Sequence, residues 1–154
     1  MGVSRKTPGG AAGRDPRGWR ELAGDGALTV RVGLLLTGAW WAVQCWQPAD
    51  TLGSTPSYRW FVEFAARLGF GADPERFWAW VFTAETAVCS TALVRRTTAV
   101  RFASALIVGV VRGVMAWGIC VSNPANPGAG VYLVLAGMAY WLAAYNAARL
   151  GTPR

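Results

Sequence analysis

The chain has 154 residues, one domain's worth, and is 53% hydrophobic but only 15% charged. An ordinary soluble domain carries about 25% charged residues, so this chain lacks the charge to cover a water-facing surface and reads as an all-α membrane protein. The net charge of +7 does not indicate nucleic acid, because the basic residues gather in tails and short turns rather than on a face interleaved with aromatics; it points to anionic lipid instead.

Residues 1–26, MGVSRKTPGGAAGRDPRGWRELAGDG, are rich in Gly, Pro and charge, which predicts a flexible basic tail. The myristoylation motif wants Ser or Thr where Lys6 stands, and the apolar run that follows is too long for a secretory signal. That run, about 27–47, is the first predicted span. Arg31 near its start has a side chain long enough to reach the headgroups, and Gly33 and Gly38 are positions where a neighbouring helix can come close.

Pro48 and Asp50 stop the span. Tyr58 to Phe70, YRWFVEFAARLGF, places Arg59, Glu63 and Arg67 on one stripe and Trp60, Phe61, Phe64, Ala65 and Leu68 on the other face. At about 58–70 it is too short to cross a bilayer, so it predicts an amphipathic helix, either lying in the interface with its aromatic side down or packed on the spans. Asp73-Pro74-Glu75 caps the next element.

The second and third spans, about 77–94 and 98–121, form a predicted hairpin around Arg95 and Arg96. Each carries an ionisable residue deep inside. Glu85 lies eight residues from Phe77 and Arg112 nine from Val121, which at about 1.5 Å per residue puts both roughly 12–14 Å from the same interface. A lone carboxylate in hydrocarbon takes up a proton and a lone Arg costs several kcal/mol, whereas pairing answers both problems. An intramembrane ion pair of Glu85 and Arg112 is therefore expected, either as a structural clasp on hairpin register or as a functional group. Thr83, Thr86, Cys89 and Ser90 add a polar stripe beside Glu85. Arg101, Ala105, Val108 and Arg112 share a face of the third span, and Gln44 and Asn146 are the main amides within the spans.

After the stiff, uncharged loop SNPANPG the fourth span is expected at about 130–148. Ala105, Gly109 and Gly113 make a small-xxx-small stripe in the third span, and Ala139, Ala143 and Ala147 repeat the spacing in the fourth. Such stripes let backbones approach, inside one chain or between copies in a homo-oligomer.

Nine basic residues fall on one side: Arg5, Lys6, Arg14, Arg17, Arg20, Arg95, Arg96, Arg149 and Arg154. The other side has Arg59, Arg67 and Arg76, offset by Asp50, Glu63, Asp73 and Glu75. The positive-inside rule then puts both termini in the cytoplasm, and Trp46, Trp60, Trp78, Trp80, Trp117 and Tyr132 form the predicted outer aromatic belt. Histidine is absent, and Cys45, Cys89 and Cys120 fall singly in three apolar runs. The pattern offers neither metal ligands, nor a cofactor motif, nor a nucleophile–base set, so a non-enzymatic protein is expected, with cysteines serving as small apolar residues.

The order STPSY after span one, a Trp-led second span, an Arg-rich turn and then NPANPGAGVYLVLAGMAYW is similar to small four-span membrane proteins of tailed phages and prophages, some labelled holin-like. The residues carrying the resemblance are Pro56, Ser57, Tyr58, Trp78, Trp80, Asn123, Pro124, Gly128, Tyr132 and Trp141. It implies assembly in the inner membrane of a bacterium, which the Arg-for-Lys bias of a GC-rich genome also fits. Arg31, Glu85 and Arg95 also resemble the pattern of the DoxX-like four-helix family, although the Lys usual near the end of its first span has no counterpart. That resemblance implies an accessory subunit of a membrane redox or transport complex.

Overall fold

A computed structural model describes residues 16–47, 52–95 and 97–150, with side chains described from Gly26 onward. Its elements are α1 (Pro16–Trp46), a 3-10 turn (Pro56–Tyr58), α2 (Arg59–Ala65) running on into a π turn (Ala66–Phe70), α3 (Pro74–Val94), α4 (Thr98–Ser122) and α5 (Gly128–Leu150). Among the described residues there is no strand. Four helices are long and apolar enough to cross a membrane: residues Gly26–Trp46 of α1, then α3, α4 and α5. The chain has the make-up of a multi-pass, all-helical membrane protein.

The expected spans and the observed helices agree to within a few residues, except at the start. Residues 1–15 of the expected flexible tail lie outside the described residues, but residues 16–26 are helical, continuous with α1. The glycines there weaken a free helix, yet extending an existing helix is far cheaper than starting one. Pro16, which has no N–H to leave unpaired, is a natural first residue. Downstream, Asp73 caps α3 as expected, its side chain accepting from Arg76 N at 3.0 Å, with Pro74 in the first turn.

The helices pair as α1 with α3 and α4 with α5; contact across the α3–α4 hairpin is less extensive. The stripes of small residues explain the second pair. Ala105, Ala139 and Ala143 are buried in one cluster with Val108 and Leu142, and a Cβ on Gly109 would fall 2.8 Å from the Tyr140 ring of α5. The stripe of α4 is thus used within the chain at Ala105 and Gly109. Gly113 is open, with only the Tyr140 hydroxyl 4.0 Å away.

The amphipathic helix takes the packed arrangement. Phe61 and Ala65 of α2 are buried in the core cluster with Trp78, Phe82 and Ile119, with Trp60 and Phe64 partly buried against it, so most of its apolar face packs on protein, while Leu68 stays exposed. Gly118 makes this fit possible, since a Cβ there would lie 2.6 Å from the Trp60 ring and 2.9 Å from that of Phe61. The exposed stripe carries the expected Arg59–Glu63 pair at 2.9 Å. The segment ends at Gly69, whose φ of 90° suits a residue without a Cβ. We call the end of the bundle covered by α2 the cap end and the end at Arg95 the turn end.

Candidate functional site: a buried ion pair between four helices

Glu85 and Arg112 occupy the middle of the bundle. Arg112 Nη2 lies 2.9 Å from Glu85 Oε1, and the two side chains are 0% and 1% exposed. The contact is close but not aligned as a hydrogen bond: neither Glu85 oxygen nor Arg112 Nε has a hydrogen-bond partner among the described residues.

The surroundings come from all four spans. Arg112 Nη2 also donates to Thr37 Oγ1 of α1 at 3.3 Å, and Nη1 reaches Met115 Sδ at 3.7 Å. The guanidinium carbon lies 5.9 Å from the Phe82 ring of α3 and 6.0 Å from the Tyr132 ring of α5, at the edge of cation–π range. Gly38 of α1 faces the pair directly: a Cβ there would sit 3.2 Å from Thr86 Oγ1, 3.5 Å from Arg112 Nη2 and 3.6 Å from Glu85 Cδ. The expected hairpin clasp is therefore a hub joining α1, α3, α4 and α5. A guanidinium and a carboxylate need more room than two small-residue faces, which is why α3 and α4 stand apart while each packs closely on another helix.

The polar stripe of α3 is satisfied largely by its own helix. Thr86 Oγ1 donates to Phe82 O at 2.7 Å and Ser90 Oγ to Thr86 O at 2.8 Å. Thr83 Oγ1 accepts from Trp46 Nε1 at 2.9 Å. Asn146 is buried, accepting from Arg31 Nη2 at 3.1 Å and donating to Leu142 O at 2.6 Å. The cysteines sit apart on α1, α3 and α4, and no metal-ligand cluster occurs among the described residues.

The six predicted belt residues divide. Trp80 and Trp117 are 62% and 65% exposed, and Trp46 is exposed with its ring 5.1 Å from that of Trp80. Trp60 belongs to the cap helix α2 and is half-buried. Trp78 and Tyr132 are core residues, which corrects their placement in the belt. Trp78 Nε1 donates to Phe61 O at 3.0 Å, so its polar edge is paired inside the protein and has no need of the interface. Tyr132 instead walls the ion pair.

Five contributors were not tied to the pair in the sequence: Thr37, Gly38, Phe82, Met115 and Tyr132. A small residue and a hydroxyl one position apart on span one, level with a buried charge, were the available signal.

The cap end has its own polar lock. Ser57 Oγ accepts from Asn126 Nδ2 at 2.7 Å and Asn123 Nδ2 at 3.4 Å. Trp60 N donates to Ser122 Oγ at 3.0 Å. The STPS segment and the NPANP loop, far apart in sequence, thus bind each other. Burial holds the nearby Tyr58 phenol above its ordinary value, so it stays neutral there. Comparison with known protein-family models, curated proteins and solved structures finds no match.

Proposed function

We propose that the chain is a non-enzymatic inner-membrane protein that acts by assembling in the bilayer, in the manner of the small holin-like membrane proteins of tailed phages. One observation carries this reading: the ionisable groups deep in the spans face each other inside the monomer, while the outer faces of the helices are apolar, with Leu36, Val110, Leu133 and Val134 all more than half exposed at 62%, 55%, 62% and 57%. Such a surface suits lipid and other copies of the chain. An apolar groove lined by Trp60, Phe64, Val110, Gly113, Trp117 and Tyr140 runs beside the open Gly113 and gives a second helix a place to approach.

Both termini and the turn end are assigned to the cytoplasm on the distribution of Arg and Lys. Reporter fusions at residues 2, 97 and 154 are expected to fluoresce as GFP and to fail as alkaline phosphatase. Active phosphatase at 97 reverses the topology. Inducible expression in a bacterium is expected to produce potassium efflux and dye entry; intact membranes at high expression would sink the holin-like reading.

A second reading, the DoxX-like accessory subunit, is favoured by Arg31. It lies at the turn end in a polar arrangement with Asn146 rather than reaching out to the headgroups alone. Under that reading, affinity purification in mild detergent brings down a reproducible partner protein, and a clean homo-oligomer argues against it.

A further inference from the structure

The turn end holds a basic cluster that the central ion pair does not use. Arg31 of α1 and Arg101 of α4 line a narrow, half-open cleft of about 20 Å³, whose apolar wall includes Leu34, Val108 and Leu142. Their hydrogen bonds go to neutral acceptors: Arg31 Nη2 to Asn146 Oδ1 at 3.1 Å and Arg101 Nε to Ala92 O at 3.4 Å. Among the described residues, the ion pairs are Arg59–Glu63, Arg76–Asp73 and Arg112–Glu85; neither Arg31 nor Arg101 has a carboxylate. Arg149 lies 4.3 Å over the Tyr145 ring, and the Tyr145 hydroxyl is buried without a hydrogen-bond partner. Helices α1 and α4 thus bring two guanidinium groups without carboxylate partners to one cleft, near an unused donor. An anion at this place relieves the repulsion.

Depth identifies the anion. Arg101 lies three residues inside Thr98 and Arg149 one before Leu150, and Arg31 meets Asn146, four residues before that same end. At about 1.5 Å per residue, these positions on α4 and α5 are within roughly 6 Å of the helix ends, at the level where lipid phosphates meet hydrocarbon. A cleft of about 20 Å³ is too small for an acyl chain or a phosphate, so the phosphate belongs outside it, against the two arginines that line it. We propose that Arg31 and Arg101 clamp the phosphate of an anionic phospholipid at the turn end of the bundle. Guanidinium groups suit this task because their forked donors match phosphate oxygens in pairs, and basic pockets between spans are a recurrent form of headgroup site. The proposal rests on the four spans and is independent of whether the protein permeabilises membranes.

The test uses the purified full chain in mild detergent, with lipid retention read by native mass spectrometry. Phosphatidylglycerol, phosphatidylcholine and inorganic phosphate are added in separate arms, and the phosphate is also added as competitor. The wild type is expected to retain phosphatidylglycerol over phosphatidylcholine by about tenfold, the equivalent of one or two charge-assisted hydrogen bonds. R31Q and R101Q should erase most of that preference, while R59Q, on the exposed face of the cap, should keep it. Should the glutamine variants fail to fold, R31K and R101K keep the charge but lose the fork, and retention a few-fold lower supports the clamp. Equal retention of the two lipids overturns the proposal. So does an equal loss in R59Q, or unchanged retention in both lysine variants. Displacement of the lipid by inorganic phosphate at matched concentration overturns the lipid assignment in favour of a free-anion site.

Discussion

The two ends of the bundle are built from different materials. The cap end is filled by interlocked rings: Phe61 lies 5.0 Å from Trp78 and 5.4 Å from Trp60, and Trp78 lies 6.0 Å from Phe82. Its loops are cross-linked by Ser57, Asn123 and Asn126. The turn end is packed with Ala27, Ala105, Ala139 and Ala143 around Leu34, Val108 and Leu142, and it holds the pocket between two arginines. Small residues bring α4 and α5 together at that end, with Ala27 and Leu34 of α1 packed against them. The difference shows where rigidity resides: one end is held by interlocked rings, the other by small residues around a narrow charged cleft, and the Glu85–Arg112 pair marks the boundary.

The largest expected effect comes from breaking that boundary. Glu85→Ala leaves a guanidinium that is always protonated buried at 0% exposure, and removing one partner of a buried pair costs about 3–5 kcal/mol. Arg112→Ala should cost less, because the remaining carboxyl can neutralise itself by taking up a proton. Combining Glu85→Gln with Arg112→Met should recover much of the loss, since replacing a buried pair whole is often tolerated. Thermal unfolding in detergent measures all of these. Losses that simply add in the double alanine variant would show that the two residues do not interact. A stable Gln/Met variant that fails in potassium efflux would show that the pair is functional.

Next in size is Gly118→Ala at the cap end. The new methyl would fall 2.6 Å from Trp60 and 2.9 Å from Phe61, and Phe61 is 1% exposed with no room to yield. Overpacking of this kind costs about 1–3 kcal/mol. Gly109→Ala makes a similar approach of 2.8 Å to Tyr140, but Tyr140 is 45% exposed and can swing toward lipid, so its cost should be smaller. Equal destabilisation of the two variants would break the claim that the cap end is the rigid one. Gly38→Ala is expected between them, about 1 kcal/mol, because Thr86 Oγ1 at 3.2 Å has a rotamer to give but Arg112 does not. A protease-protection assay would show its damage spreading from the centre rather than from the cap.

Much of this architecture is written in hydropathy. Long apolar runs between charged turns define α3, α4 and α5, and equal depth brings Glu85 to Arg112, because an unpaired charge has nowhere else to go. What escaped were features set by neighbours remote in sequence. Gly118 looks like any glycine in an apolar helix until the aromatic face of α2 is laid on it. Trp78 and Tyr132 share the composition of belt residues, and only the position of the cap and of the guanidinium turns them inward. The helical start at Pro16 was hidden because glycines at 18, 24 and 26 argue for a free tail, an argument that weakens once α1 is already nucleated. The arginine pocket was half visible: Arg101 was placed on a face with Ala105 and Val108, but its approach to Arg31 depends on the order of helices around the bundle.

The smallest effect is the most informative about assembly. Gly113 completes the stripe begun by Ala105 and Gly109, yet its Cβ position is open except for the Tyr140 hydroxyl at 4.0 Å. Inside the monomer, Gly113→Ala should therefore be neutral or should stabilise by about 0.5–1 kcal/mol, the ordinary gain of Ala over Gly in a helix. If a second copy seats a helix in the groove beside Trp117 and Val110, the same methyl removes the close backbone approach, and a bulkier Gly113→Leu removes it entirely. The expected outcome is a chain that melts no lower than wild type but runs as a smaller species in cross-linking and in detergent sedimentation, with potassium efflux falling in parallel. Unchanged association in Gly113→Leu would remove the groove from the assembly and leave the stripe with a single role, that of holding α4 against α5.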